Sequence, residues 1–431
     1  MKASKSLMAL SPLMVFLILY VAISIIIGDF YKIPLTVALL IASLWAILIF
    51  RGAPLTQRLE AYAREAGSTN VVYMIWIFIL AGCFASLAGK TGAVEATVAL
   101  TIYQVPPGFV IPGLFIAACF ISMAIGTSVG TVVALVPLAV TYAASAGADI
   151  PFFVAIILGG SFFGDNLSFI SDTTIAATRT QGCKMNEKFK ANFLLVCPAA
   201  VITLLIYIFG GFTVPETTGA MPQNPWLVVP YLSVIVLAIA GVNVTLTLLC
   251  GIVLSVIIAL FSGYGIFEIF GFMGDGIDGM GNLIIITLMA AGMLGLIKEA
   301  GGIDALLRFL SKNIKGARGS QTVIALLVGI VNLCTANNTV AILTVGSISK
   351  KISEEYDITP RRSASLLDTA SCIVQCLIPY GAQTLLATSL AGIAPTAPWK
   401  YLYYPWVLAI IIAISIICWK SPVMKIQPDV K

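Results

Sequence analysis

The chain has 431 residues, of which 59% are hydrophobic and only 10% charged, with a mean hydropathy of +1.03 and a net charge of +5. So few charges cannot cover a water-facing surface, which excludes a soluble globular protein. Histidine is absent and the nine cysteines are scattered without a C-x-x-C pair, so no zinc or redox framework and no cofactor is expected.

Apolar runs of about 17–25 residues, long enough to cross a bilayer core, begin at 12–28 and 33–50. Lys2 and Lys5 precede the first run, and the lack of a small-residue cleavage site predicts a retained helix rather than a signal peptide. Residues 52–68, with Arg58, Arg64 and Glu65 among apolar neighbours, predict either an amphipathic interfacial helix or a solvated loop. Further spans follow at 71–89, 191–211, 226–240, 243–262, 282–298 and 402–419. Longer, polar-interrupted runs lie at 109–142, 151–177, 321–347 and 364–390. Lipid admits only backbones that satisfy their own hydrogen bonds, so the fold is predicted to be an all-α polytopic membrane protein.

The order of these runs repeats. SFFGDNLSFISDTTIAAT (161–178) aligns with SCIVQCLIPYGAQTLLAT (371–388), matching Ser161 to Ser371, Leu167 to Leu377, Thr174 to Thr384, Ala177 to Ala387 and Thr178 to Thr388 at one offset of 210 residues. The same offset relates the other spans and predicts two repeats, 12–211 and 224–420. If the run at 109–142 enters and leaves on one side as a re-entrant hairpin, 21 of the 24 Lys and Arg residues fall on one face of the membrane. Only Lys32, Lys90 and Lys400 fall on the other. By the positive-inside rule that face is cytoplasmic, as are both termini, and the membrane is the plasma (inner) membrane. Each repeat is then about five transmembrane helices plus a re-entrant hairpin, and the two are inverted, the organisation of many secondary transporters.

Polar residues concentrate where these hairpins turn. IGTSVGT (125–131) offers Thr127 and Ser128, and CTANNTV (334–340) offers Asn337, Asn338 and Thr339, each beside carbonyls that a turn sets free. GDNLSFISDTT (164–174) is too polar to be a lipid-facing helix and predicts an interrupted helix at the midplane. Asp165, Asn166, Ser168, Ser171, Asp172 and Thr173 are its candidate oxygen ligands, and carboxylate, amide, hydroxyl and carbonyl oxygens suit a hard cation such as Na⁺ at Asp165 and Asp172. The matching second-half segment is neutral, with Gln375 opposite Asp165 and Ala382 opposite Asp172. There Gln375, Tyr380 and Gln383 are candidate solute contacts, together with Asp368, which either completes the site or caps a helix. Desolvation favours the protonated form of a carboxylate and a bound Na⁺ favours the ionised form, so one site can exchange the two ions. No buried Lys or Arg stands out to bind an anionic substrate, which points to a bare cation.

GTSVGT (126–131), GDNLSFISDTT (164–174), TANNT (335–339) and IPYGAQ (378–383) together resemble the NhaC family of sodium/proton antiporters, over most of the chain. One departure is Phe169, where the family often has proline. The resemblance implies the inverted repeats of the wider ion-transporter superfamily. Scaffold parts would lie at 12–89 and 226–298 and mobile transport parts at 109–211 and 321–420, and the scaffolds would mediate a homodimer. It also assigns the cation role to Asp165, Ser168, Ser171, Asp172 and Thr173, and extends it to Thr127 and Ser128. The function expected is Na⁺/H⁺ antiport by alternating access; the alternative is a Na⁺- or H⁺-coupled carrier of an amino acid or carboxylic acid. An enzyme, such as an intramembrane aspartyl protease using Asp165 and Asp368, is not expected, and neither is a nucleic-acid partner.

Overall fold

A computed structural model of the chain describes residues 8–23, 34–50, 52–169, 171–212, 224–240, 242–303, 305, 309 and 316–418. Lys2, Lys5, residues 24–28 of the first apolar run, most of the basic stretch 304–315 and the C-terminal segment from 419 lie outside the described residues. The first half begins with α1 (Ser11–Leu17), which continues as a π-helical stretch over Ile18–Ala22, then α2 (Leu35–Ile49), α3 (Leu55–Ala66) and α4 (Thr69–Lys90). It continues with α5 (Ala93–Gln104), α6 (Pro107–Ile125), α7 (Ser128–Ser145), α8 (Ile150–Leu167), α9 (Asp172–Gln181) and α10 (Met185–Phe209). The second half holds α11 (Val229–Ile239), α12 (Val244–Phe261), α13 (Ile266–Gly279), α14 (Gly281–Glu299) and α15 (Gly316–Thr335), followed by α16 (Asn338–Glu355), α17 (Pro360–Leu377), α18 (Ala382–Ala391) and α19 (Tyr403–Ile417).

Among the described residues there is no strand, and eight helical stretches are long and apolar enough to cross a membrane. The chain is a multi-pass helical membrane protein. Helix boundaries recur at the 210-residue offset read from the sequence: α7, α8 and α9 map end to end onto α16, α17 and α18. Packing partners are exchanged in the same way. The helix pair α3 and α14 is mirrored by α13 and α4, and the pair α7 and α18 by α16 and α9. Helix α5 was not foreseen; the residues at the equivalent offset fall largely outside the described ones.

Within 52–68, Leu55–Ala66 form a helix rather than a loop. It docks across α14: the Tyr62 hydroxyl donates to the Met289 carbonyl at 3.3 Å, and the ring lies where a side chain at Gly292 would have to go. Arg58 donates to the Ile47 carbonyl, and Arg64 pairs with Glu299 at 2.9 Å on the surface.

Gly82 on α4 and Gly276 on α13 let these two helices cross backbone against backbone. A Cβ added at either would sit 2.2 Å from the carbonyl oxygen of the other. Such small residues drive helix association in lipid, where no hydrophobic force between helices exists. Gly276→Ala should therefore cost at least the 1–3 kcal/mol or so of an overpacked core, because backbone, not a flexible tip, must yield. A lowered melting temperature in detergent is the expected result, and unchanged melting would show that the helices do not cross this closely.

Candidate cation-binding site

Two hairpins and two interrupted helices meet at the site. The first hairpin, α6–α7, turns at Gly126 with φ +75°, a left-handed conformation that glycine adopts without cost. The second, α15–α16, turns at Ala336 with φ +47°, where an L side chain carries strain of about 1–2 kcal/mol. Each hairpin is anchored to its interrupted helix by one buried donor: Ser122 Oγ to the Ser161 carbonyl at 2.5 Å, and Asn332 Nδ2 to the Ser371 carbonyl at 2.8 Å. These pairs stand at equivalent positions of the two halves. Gly164 allows the first contact, since a Cβ there would meet Ser122 Cβ at 2.2 Å.

The break expected in GDNLSFISDTT is present. Helix α8 ends at Leu167, Ser168 and Ser171 are extended, and α9 starts at Asp172. Ile378 and Gly381 are extended in the same way between α17 and α18. Thr174 Oγ1 satisfies the freed Ser168 carbonyl at 2.8 Å.

Asp165 is 4% exposed and its carboxylate meets the N-terminus of α7. Ser128 donates to it twice, from its backbone N–H at 3.0 Å and from its hydroxyl at 2.5 Å. The Ser128 hydroxyl in turn accepts from Gln383 Nε2 at 3.0 Å. Gln383 Oε1 accepts from Gln375 Nε2 at 3.0 Å, which also donates to the Ala336 carbonyl at 2.9 Å. One polar chain thus runs from the carboxylate of the first interrupted helix to the tip of the second hairpin. Asp165 and Gln375 hold equivalent places, but the first accepts from its hairpin tip and the second donates to its own.

These groups surround a cavity of about 130 Å³. Asp165, Ser171, Asp172, Thr173, Thr127 and Ser128 line it from the first half, and Asn337, Asn338, Thr339, Gln375 and Gln383 from the second; Tyr73, Met74 and Ile77 of α4 close one side. Ser171 Oγ and Thr173 Oγ1 are 2.9 Å apart, Asp172 is exposed, and the buried Gln375 Oε1 is without a partner. The N-terminal ends of α7, α9, α16 and α18 all reach the cavity through Ser128, Asp172, Asn338 and Ala382, so their partial positive charges offset the two carboxylates. Among the described residues no Lys or Arg lines it. Among the described residues no group of three or more His, Cys, Asp or Glu could hold a metal ion, so any bound cation would rely on hydroxyl and amide oxygens as well.

Four sequence candidates are placed elsewhere. Asn166 turns its amide to the Phe162 carbonyl at 2.9 Å and the Tyr404 hydroxyl at 3.1 Å. Ser168 is buried in the break without lining the cavity, and Tyr380 donates to the Leu333 carbonyl at 2.6 Å while its ring packs edge-on against Phe16. Asp368 neither lines the cavity nor caps a helix start: it is fully buried, eight residues into α17, and pairs with Lys188 at 2.8 Å.

That pair includes a buried cation that does not stand out in the sequence, although it does not line the cavity. Lys188 is 1% exposed, and Arg362 is buried between Gln321 and Ser415. The sequence count places both in the cytoplasmic charge belt. The missed signal is local: α10 starts at Met185, before its apolar run, so Lys188 and Asn192 share one face four residues apart.

A multi-pass helical protein whose two hairpins and two broken helices converge on a charged cavity has the form of a secondary transporter. The sequence model of the Na⁺/H⁺ antiporter family matches residues 3–212 and 214–419, and the chain belongs to that family. Relatives are distant. It is 24% identical to the Na⁺/H⁺ antiporter NhaC of Bacillus subtilis (strain 168), over 76% of this chain and 80% of that one. It is 22% identical to the malate-2H⁺/Na⁺-lactate antiporter of the same organism, covering 90% and 89%, and 23% identical to the arginine/ornithine antiporter ArcD of Halobacterium salinarum, covering 72% and 70%.

Proposed function

We propose that the chain exchanges Na⁺ for H⁺ across the plasma membrane by alternating access, at a site formed by Asp165 and Asp172 with Ser128, Ser171, Thr173 and the amides of the second half. The observation that carries this reading is the buried Asp165 carboxylate, held by Ser128 donors in a cavity that gathers oxygen ligands from both halves. A desolvated carboxylate is costly to keep charged without a counter-ion, so proton or Na⁺ neutralises it in each access state. The halves are related by inversion, both termini face the cytoplasm, and two copies pair through the early helices of each half. The chain performs transport and no chemical conversion.

A second reading, the coupled transport of an organic acid or amino acid, is favoured by the four helix N-termini at the cavity, which suit an anionic group, and by the names of two relatives. The volume favours the bare cation: about 130 Å³ is well below the roughly 300–1,000 Å³ of pockets that enclose organic ligands. In proteoliposomes carrying an internal pH dye, a Na⁺ gradient alone should move protons. Proton movement that appears only when malate, lactate or an amino acid is added would transfer the assignment to the second reading.

A further inference from the structure

Behind the break of α8, on the α10 and α17 side, lies a second polar cluster. The Lys188 ammonium donates to Asp368 Oδ2 at 2.8 Å, to the Asn166 carbonyl at 2.9 Å and to Thr174 Oγ1 at 2.6 Å, which engages all three of its hydrogens. Asn192 Nδ2 also donates to the Asn166 carbonyl and to Asp368 Oδ2, each at 2.7 Å. The cluster is buried, with Lys188, Asp368, Asn166, Asn192 and Thr174 all at or below 1% exposure. Three further oxygens here, Asp368 Oδ1, Asn192 Oδ1 and Asn166 Oδ1, are buried and have no partner among the described residues.

An acceptor surplus of this kind around one positive charge is what a cation site looks like. A carboxylate, a carbonyl at the negative end of a half-helix and a hydroxyl converge on a single ammonium nitrogen. We propose that Asp368, the Asn166 carbonyl and Thr174 form a second monovalent-cation site, and that the Lys188 ammonium is its tethered, permanent occupant. A main-chain carbonyl of the α8 break takes part, so the tethered charge also fixes the break whose other face presents Asp165. The site is pre-filled, so only the cavity at Asp165 and Asp172 exchanges its ion. That functional consequence rests on the reading of the chain as a cation exchanger; the binding claim does not.

The test is equilibrium binding of radioactive Na⁺ to purified protein in detergent, with the first site silenced by Asp165→Asn and Asp172→Asn. In this background Lys188→Ala should bind one added Na⁺ per chain, and adding Asp368→Asn should remove it. Na⁺, but not choline, should also raise the melting temperature of Lys188→Ala. Folded Lys188→Ala that binds no added Na⁺ would overturn the proposal. So would a variant that fails to fold even in high Na⁺, because Na⁺ could not then replace the ammonium. Failure of the exchanger reading would look different: wild type and the silenced parent would bind Na⁺ alike.

Discussion

Asp165→Asn should reduce Na⁺-driven proton movement by about 10- to 100-fold. A hydrogen bond to a charged group is worth about 1.5–3 kcal/mol, and each 1.4 kcal/mol is tenfold. The Asn side chain could still accept from Ser128, so the hairpin contact survives while the charge that alternately holds Na⁺ and H⁺ is gone. Asp172 is exposed at the cavity, where a charge is screened, so Asp172→Asn should lose less. Initial rates in proteoliposomes check both. A variant at position 165 that exchanges at the wild-type rate would move the ion site away from the interrupted helix.

Asp368→Asn should lower stability by about 3–5 kcal/mol, the usual cost of leaving one partner of a buried ion pair unpaired. Unlike Lys188→Ala, this variant retains a buried cation, and Na⁺ should not rescue it. Replacing both residues by apolar ones of similar volume should recover most of the loss, because a fully buried pair contributes little net stability over a packed apolar contact. Unfolding measured in detergent for the two single variants and the double variant gives the coupling. A loss below about 1 kcal/mol for Asp368→Asn would place the pair among solvated surface bridges instead.

The parts of the molecule legible in the sequence are those where polar residues interrupt lipid-length runs. Both tips and both breaks fall within the polar segments IGTSVGT, CTANNTV, GDNLSFISDTT and its second-half match, because an apolar environment leaves such segments few alternatives. The offset of 210 residues carries α7, α8 and α9 onto α16, α17 and α18 to the residue, and the tip residues Ser128 and Asn338 do share one cavity with Asp165 and Gln375. Side-chain direction was not legible. Asn166 and Asp165 are neighbours in the sequence, but about 100° of helical turn sends one to Tyr404 and the other to the cavity. The charge count that oriented the chain also hid Lys188, since a rule about loops cannot separate a loop lysine from a buried one in the first turn of a membrane helix.

The central claim is that Na⁺ and H⁺ compete for one carboxylate site. It is tested most directly by adding Na⁺ to the purified protein in weakly buffered detergent solution and recording the proton release. Release in the wild type that Asp165→Asn abolishes is the expected result. Na⁺ binding without proton release, or release that persists in Asp165→Asn, would contradict exchange at this site.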